Sequence, residues 1–388
     1  MTEADKTGIL ELNLTDFRSY SYLSMHFDSS FLPVILTGKN GAGKTNILEA
    51  VSFLSPGRGL RNARLSDVAH RAFTTDATIE NVPINWGVSA KIKTVNGITQ
   101  VGTGTTDTSD RRQIRIDGKN TSKQSDLSTI FRCLWLTPAQ DRLFCGEPAA
   151  RRRFLDRLVQ AFDPQHTNRL SEYNTTFKEW AHLLKEGCRD NAWLEALEAQ
   201  MVSSGIAISA FRLDVVQRLE RYLNQSCLQS FPTAKIKLSG FLEELLLQKK
   251  AVEVEDIFTA YLKKSRKIFA EGGSFSGPHT ADFSVEHSQR CADATLCSTG
   301  EQKALLVSIL LAEVKALRAE QGICPLLLMD EAGAHFDSTR RAELFALLLT
   351  LPTQVWLTGT EESYFQPLLK KAQLFYIDQS QLTLKNVA

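Results

Sequence analysis

Two short segments of this sequence hold residue types whose spacing suits phosphate chemistry. Gly38-Lys39-Asn40-Gly41-Ala42-Gly43-Lys44-Thr45 follows an apolar run, Phe31 to Thr37, and precedes a helix-forming run, Asn46 to Leu54. Residues this small let the backbone curl until successive N–H groups point inward, and the N-terminus of the next helix adds partial positive charge. The pattern G-x-x-x-x-G-K-[ST] is that of a P-loop, in which Lys44 reaches the β- and γ-phosphates of ATP and Thr45 offers its hydroxyl to Mg²⁺. The plainer alternative, a glycine-rich turn with a solvated lysine, leaves the strand before and the helix after unexplained. Pro325-Leu326-Leu327-Leu328-Met329-Asp330-Glu331 is an apolar strand ending in two carboxylates. Asp330 suits Mg²⁺, usually through water, because that ion keeps several waters in octahedral oxygen geometry. Glu331, one residue on, points differently and is placed as the general base that orients and deprotonates an attacking water. Adjacent carboxylates alone are ordinary where a strand meets solvent. A P-loop in the same chain favours the catalytic reading.

A third segment, Leu296-Cys297-Ser298-Thr299-Gly300-Glu301-Gln302-Lys303, directly precedes an apolar helix. Ser298, Thr299, Gly300 and Gln302 there present a hydroxyl, flexible backbone N–H groups and a positive helix end, which together make a γ-phosphate receptor. Taken alone, Ser298 reads as an N-cap worth about 1 kcal/mol to its helix.

Around these segments the hydropathy pattern predicts the scaffold. Gly8 to Phe17 and Tyr20 to Phe27 alternate as two antiparallel strands, and Phe31 to Thr37 is a buried strand. From Ile79 to Asn120, β-branched residues alternate between turn signals at Asn96-Gly97, Gly102-Thr103-Gly104 and Asp117-Gly118, a β-meander. Phe131 to Thr137 is another buried strand. Pro148 to Ala270 is rich in helix formers, with Phe154, Leu155, Leu158, Val159 and Phe162 at helical spacing. Ala281 to His287 returns to strand texture, Gly300 to Leu317 is helical, and Leu326 to Met329, Ser338 to Leu349 and Gln354 to Thr358 read as strand, helix, strand. The alternation implies parallel α/β units at both ends of the chain around a helical insert, dividing it into residues 1–147, 148–270 and 271–388.

The 388 residues suffice for two domains, and a net charge of +1 supplies no long-range field toward nucleic acid, so a DNA site must be a local patch. The start of the chain has no apolar segment behind a basic one, and no run approaches the ~18 apolar residues of a membrane span. A cytosolic protein without a membrane partner is expected. The seven cysteines are scattered, with no Cys-x-x-Cys pair, and read as reduced thiols.

The order of the three phosphate-binding segments resembles the ABC ATPases of chromosome maintenance, among them the SMC proteins, and most closely the RecF family. The resemblance rests on Leu14-Thr15-Asp16-Phe17-Arg18-Ser19-Tyr20, the P-loop, Arg151-Arg152-Arg153-Phe154-Leu155-Asp156, Ser276-Gly277-Pro278-His279 and the Ser298 to Lys303 signature. Thr358, in Leu357-Thr358-Gly359-Thr360, sits where other ABC ATPases often carry a switch histidine and RecF-like proteins a threonine. It therefore joins the nucleotide-contact candidates. Two departures stand out: Thr280-Ala281-Asp282 follows Gly-Pro-His where the family usually has Arg and an acid, and Pro138-Ala139-Gln140-Asp141 replaces Pro-Glu-Asp. Gln140 reads as a Q-loop ligand of Mg²⁺ or as a surface glutamine.

The resemblance implies an α/β fold: an ABC-type P-loop ATPase head with an antiparallel β-subdomain and an inserted all-helical lobe. It implies heads that close face to face around two ATP molecules, each P-loop meeting its partner's signature, with weak DNA-stimulated hydrolysis. Partners follow as duplex or gapped DNA, a second copy of the chain, RecR, and RecO and RecA in the pathway. Candidate phosphate contacts are Arg58, Arg61 and Arg64; Arg111, Arg112 and Arg115; and Lys263, Lys264, Arg266 and Lys267, each cluster also readable as a solvated face. Arg151 to Arg153 have Glu147 and Asp156 at helical spacing, so intrahelical pairing competes with a functional role. The rival from another class is a transporter's cytoplasmic motor, but such motors lack a long insert between P-loop and signature. SMC proteins would place far more heptad-patterned sequence there. A Toprim nuclease is not expected, since no Asp-x-Asp occurs and only about ten residues follow Asp378.

Overall fold

The structure is a computed structural model and describes residues 7–28, 31–70, 85–106, 109–188, 190–224 and 231–385. Two compact units emerge: Met1–Asp141 with Leu317–Ala388, and Arg142–Ala316.

In the first unit, β1 (Gly8–Phe17) and β2 (Tyr20–His26) form a hairpin. Ile9 and Leu12 are both buried although three positions apart, because the pairing shifts between Ile9 and Glu11 and the bulge resets the face that points to the core. Next come β3 (Val34–Thr37), α1 (Lys44–Ser52), β4 (Gly87–Thr94), β5 (Gly97–Thr106), β6 (Ser109–Ile116), β7 (Lys119–Thr121), α2 (Leu127–Ile130) and β8 (Cys133–Leu136). The antiparallel sheet runs β2-β1-β4-β5-β6-β7, as the meander predicts. Turns form at Asn96-Gly97 and Asp117-Gly118, but Gly102-Thr103-Gly104 lies inside β5, opposite Gly87 to Ser89, rather than in a turn. A side chain at Gly104 would lie 2.2 Å from the Trp86 carbonyl, so glycine there answers a close backbone approach. The start of the predicted meander, residues 79–84, lies outside the described residues. Phe17, Phe53 and Trp86 meet edge-on or tilted at 5.0–6.0 Å beneath this sheet.

In the second unit follow α3 (Pro148–Phe162), α4 (His166–Lys185), α5 (Asn191–Asn224), β9 (Ala234–Ser239), α6 (Phe241–Gln248), α7 (Ala251–Ala270), β10 (Asp282–His287), β11 (Ala292–Asp293) and the first part of α8 (Thr299–Gln321). Trp180, Met201, Leu242, Phe258 and Leu262 anchor its helical core, each 0% exposed. The insert is not helical throughout: β9 pairs antiparallel with β10. The alternating Ala234-Lys235-Ile236-Lys237-Leu238 has the two-residue period of a strand, a signal that the surrounding helix formers mask.

The chain closes the first unit with β12 (Leu326–Met329), α9 (Ser338–Leu348), β13 (Val355–Gly359), β14 (Gln373–Asp378) and β15 (Gln381–Lys385). The second sheet of this unit has the order β15-β14-β3-β13-β12-β8 and is parallel except at β15. Every residue of β3, β12 and β13 is buried, which is why these segments read as unbroken apolar runs. Their adjacent C-terminal ends put the P-loop, Asp330 and Thr358 on one edge, where open parallel sheets bind ligands.

Candidate nucleotide site

The P-loop curls because glycines occupy positions closed to other residues. Gly38 has φ 149°, and a side chain there would sit 2.1 Å from the Ile377 carbonyl; at Gly43, φ 110°, it would meet the Tyr20 hydroxyl at 2.5 Å. Lys44 Nζ donates to the carbonyls of Gly38 at 2.6 Å and Lys39 at 2.9 Å, which holds the ammonium over the loop. Burial pushes the Lys44 pKa down, while the Glu331 and Asp330 carboxylates oppose that shift. No side chain caps α1, so its first-turn N–H groups keep the partial charge that suits an anion.

The segment Arg18-Ser19-Tyr20 anchors this helix from behind. Glu49, 0% exposed, accepts Arg18 Nε at 2.9 Å and Nη2 at 2.6 Å, with Arg61 Nη1 at 2.8 Å. Asn46 donates to Ser19 Oγ at 2.9 Å and accepts from Arg61 at 2.8 Å.

Across the edge, Thr45 Oγ1 lies 3.1 Å from each carboxylate oxygen of Asp330. A hydroxyl and a carboxylate are the hard oxygen donors that Mg²⁺ takes, so these residues fit the ion the motif implies and would hold it if bound. Glu331 follows in a left-handed conformation, φ 53°. Thr358, grouped above with the nucleotide contacts, is 0% exposed, and its hydroxyl is engaged by Asp330 and Glu331 instead. Gln140 forms a capping box: the Thr137 N–H donates to its side-chain oxygen at 3.0 Å. That oxygen serves the short helix at Pro138–Gln140.

In the second unit, Ser298 is exposed and Thr299 and Gly300 are half-buried. Ser298 and Glu301 cap each other: the Ser298 N–H and hydroxyl both donate to Glu301 Oε2 at 3.0 Å. Gln302 departs from the expected receptor group, being 3% exposed, with its amide donating to the Cys297 carbonyl at 3.0 Å. It braces the turn from within.

The remaining blocks of the resemblance meet inside the second unit. Arg151 grips Asp282 through Nε at 2.8 Å and Nη2 at 2.7 Å, so neither intrahelical partner is used and Asp282 supplies the charge contact that Thr280-Ala281 interrupts. Asp156 accepts from Arg212 Nε at 2.8 Å and Nη2 at 3.0 Å and from His166 at 2.9 Å, while Arg212 Nη1 donates to the Pro278 carbonyl at 2.6 Å. His279 stacks on Phe177 at 4.9 Å and contacts the Tyr173 hydroxyl at 2.9 Å. Burial, reinforced by Arg152, pushes its imidazole down to about 4, so it is neutral at physiological pH. Arg212, His166 and Tyr173 escaped the sequence reading; the available signal was an arginine on the largely apolar buried face of α5.

Among the basic candidates, Arg58, Arg61, Arg64, Arg111, Arg115, Lys263, Lys264 and Lys267 are exposed. Arg112 is not a surface cation: it donates to Thr103 Oγ1 and to the carbonyls of Phe53, Ser55 and Gly57. Burial lowers its guanidinium to about 10, and it ties β6 to the loop after α1. Lys263 and Arg266 pair with Glu195 and Glu198.

A P-loop strand and a carboxylate strand on either side of a third parallel strand, joined to an antiparallel subdomain, define an ABC-type ATPase head. The RecF/RecN/SMC N terminal domain family matches residues 8–382. The DNA replication and repair protein RecF of Allorhizobium ampelinum is 40% identical over 98% of this chain and 100% of its own, and that of Mesorhizobium japonicum 41% over 96% and 97%. The solved recombination mediator protein RecF-ATP in the RecFOR pathway superposes with a TM-score of 0.81, at 20% identity, over 98% of both chains. An SMC head bound to the C-winged helix domain of ScpA gives 0.55 at 13% identity, over 98% of both chains, a likeness of fold. The chain belongs to the RecF family of DNA replication and repair proteins. No described helix is long and apolar enough to cross a membrane.

Proposed function

We propose that this protein is an ATP-gated DNA-binding switch of recombinational repair in the cytoplasm. ATP enters the P-loop of one copy and the signature of a second, the two close as a dimer on duplex or gapped DNA, and hydrolysis releases them. The observation that carries this reading is the single edge on which Lys44, Thr45, Asp330 and Glu331 converge. Lys44 and the loop N–H groups bind phosphate, Thr45 and Asp330 would hold Mg²⁺, which when bound neutralises phosphate charge, and Glu331 takes a proton from water. The exposed Ser298 supports a contact made in trans, since its cap leaves it at the surface. The exposed arginines at positions 58 and 64 suit phosphate contacts that raise a weak basal ATPase, whereas Arg61 is held by Glu49 and Asn46. The names of its relatives support action in the RecFOR pathway, and with it RecR and RecO and the loading of RecA at gaps. Nothing in the site favours a transporter motor.

The test is Glu331→Gln, which keeps the shape of the side chain and removes the base. It should bind ATP and accumulate as dimer on sedimentation with ATP, with turnover down about 100-fold or more. A monomer with ATP, where wild type dimerises, would refute the base assignment.

A further inference from the structure

Thr358 is the penultimate residue of β13, the strand between P-loop strand β3 and carboxylate strand β12. Register places it beside Leu36 on one side and, one residue past the Met329–Leu357 pair, beside Asp330 on the other. Its hydroxyl donates to Asp330 Oδ1 at 2.6 Å and accepts the Glu331 N–H at 2.9 Å, and its carbonyl accepts the Ala332 N–H at 3.1 Å. Consecutive residues 330, 331 and 332 thus hang from one threonine.

Glu331 needs such support, because φ 53° is a conformation that residues with a Cβ rarely adopt. The arrangement also demands a hydroxyl: one atom must give a proton to a carboxylate and take one from a backbone amide, which neither a methyl nor an ammonium group does. Asp330 is constrained from two sides, by Thr358 and by the Thr45 hydroxyl of the P-loop helix. We infer that Thr358 is a positioning residue that sets the Asp330 side chain and the left-handed Glu331 relative to each other, and that it acts through them without touching nucleotide. The inference rests on the ATP-hydrolysis reading above.

Thr358→Val keeps the shape and removes the hydroxyl; Thr358→Ser keeps the hydroxyl and removes the methyl. In the full chain, with wild type and Lys44→Met as references, ATP affinity is measured by equilibrium binding of a fluorescent ATP analogue, and kcat and KM by phosphate release. Thr358→Val should lower kcat at least about tenfold while affinity and KM stay within about threefold, and Thr358→Ser should restore kcat to within about threefold of wild type. Wild-type kcat in the valine variant, an affinity loss like that of Lys44→Met, or a serine variant as slow as the valine one each overturns the inference. If the valine variant does not fold, the serine variant alone decides, since a merely packing role for the methyl slows it. Absence of Lys44-dependent ATP binding in wild type instead overturns the nucleotide reading itself, and is seen in the reference arm.

Discussion

Replacing Arg212 by Met removes the charge at the centre of a buried cluster in the second unit, 2.8 Å from Asp156 and 3.8 Å from Glu243, and should reverse the pH dependence of its stability. Arg212 is 2% exposed and spends Nε and Nη2 on Asp156 and Nη1 on the Pro278 carbonyl. Methionine nearly preserves the apolar stem, so the loss is electrostatic: Asp156 is left with His166, Glu243 with Ser209, and the Pro278 carbonyl loses its donor. Breaking one side of a buried pair costs about 3–5 kcal/mol, the orphaned carbonyl lying within that range of effects. For a unit of this size such a loss lowers the midpoint of thermal unfolding by roughly 10 °C. In wild type the guanidinium and His166 hold the Asp156 carboxyl below its ordinary value against a desolvation that would raise it. Its contribution is therefore present at neutral pH and lost as pH falls through the depressed folded value. Without Arg212 desolvation dominates and the folded value rises above the unfolded one, so the variant loses stability as pH climbs through that raised value. Urea unfolding at several pH values between 4 and 8, followed by tryptophan fluorescence, should show the gap between variant and wild type widening with pH. A loss below about 1 kcal/mol, or one that is the same at every pH, would refute the reasoning.

Three further outcomes follow from the same geometry. Ser298→Ala should cost about 1 kcal/mol through the lost cap. Ser298→Arg should keep ATP binding yet block dimerisation and turnover, and mixing it with Lys44→Met should restore part of the activity; inactivity of a mixture that forms mixed dimers would count against a site shared in trans. His279, neutral in the fold with a pKa of about 4, makes stability fall between about pH 6.5 and 4, because only the unfolded chain takes up the proton readily. His279→Phe should flatten that slope, and an unchanged slope in urea titrations would show that His279 is not its source.

Local pattern determined much of this protein. The P-loop needs small residues at fixed offsets, the core strands need unbroken apolar runs, and the β1–β2 hairpin needs alternation, so β1, β12 and the nucleotide edge were legible to within a residue or two. What a residue does once several elements converge on it was not legible. Whether Thr358 faces nucleotide or carboxylate depends on β13 lying between β3 and β12, a strand order that no local spacing encodes. Arg112 and Arg115 look alike in sequence, yet one is consumed by backbone carbonyls of a distant loop and the other stays exposed, because alternate residues of a strand face opposite sides of its sheet. Arg151 has Glu147, and Asp156 has Arg152, four residues away on the same helix, yet their hydrogen-bonded ion pairs form with Asp282 and Arg212, which arrive from far along the chain. Tertiary structure decided those pairings because a buried charge takes the partner that desolvation leaves within reach, and sequence distance has no part in that choice.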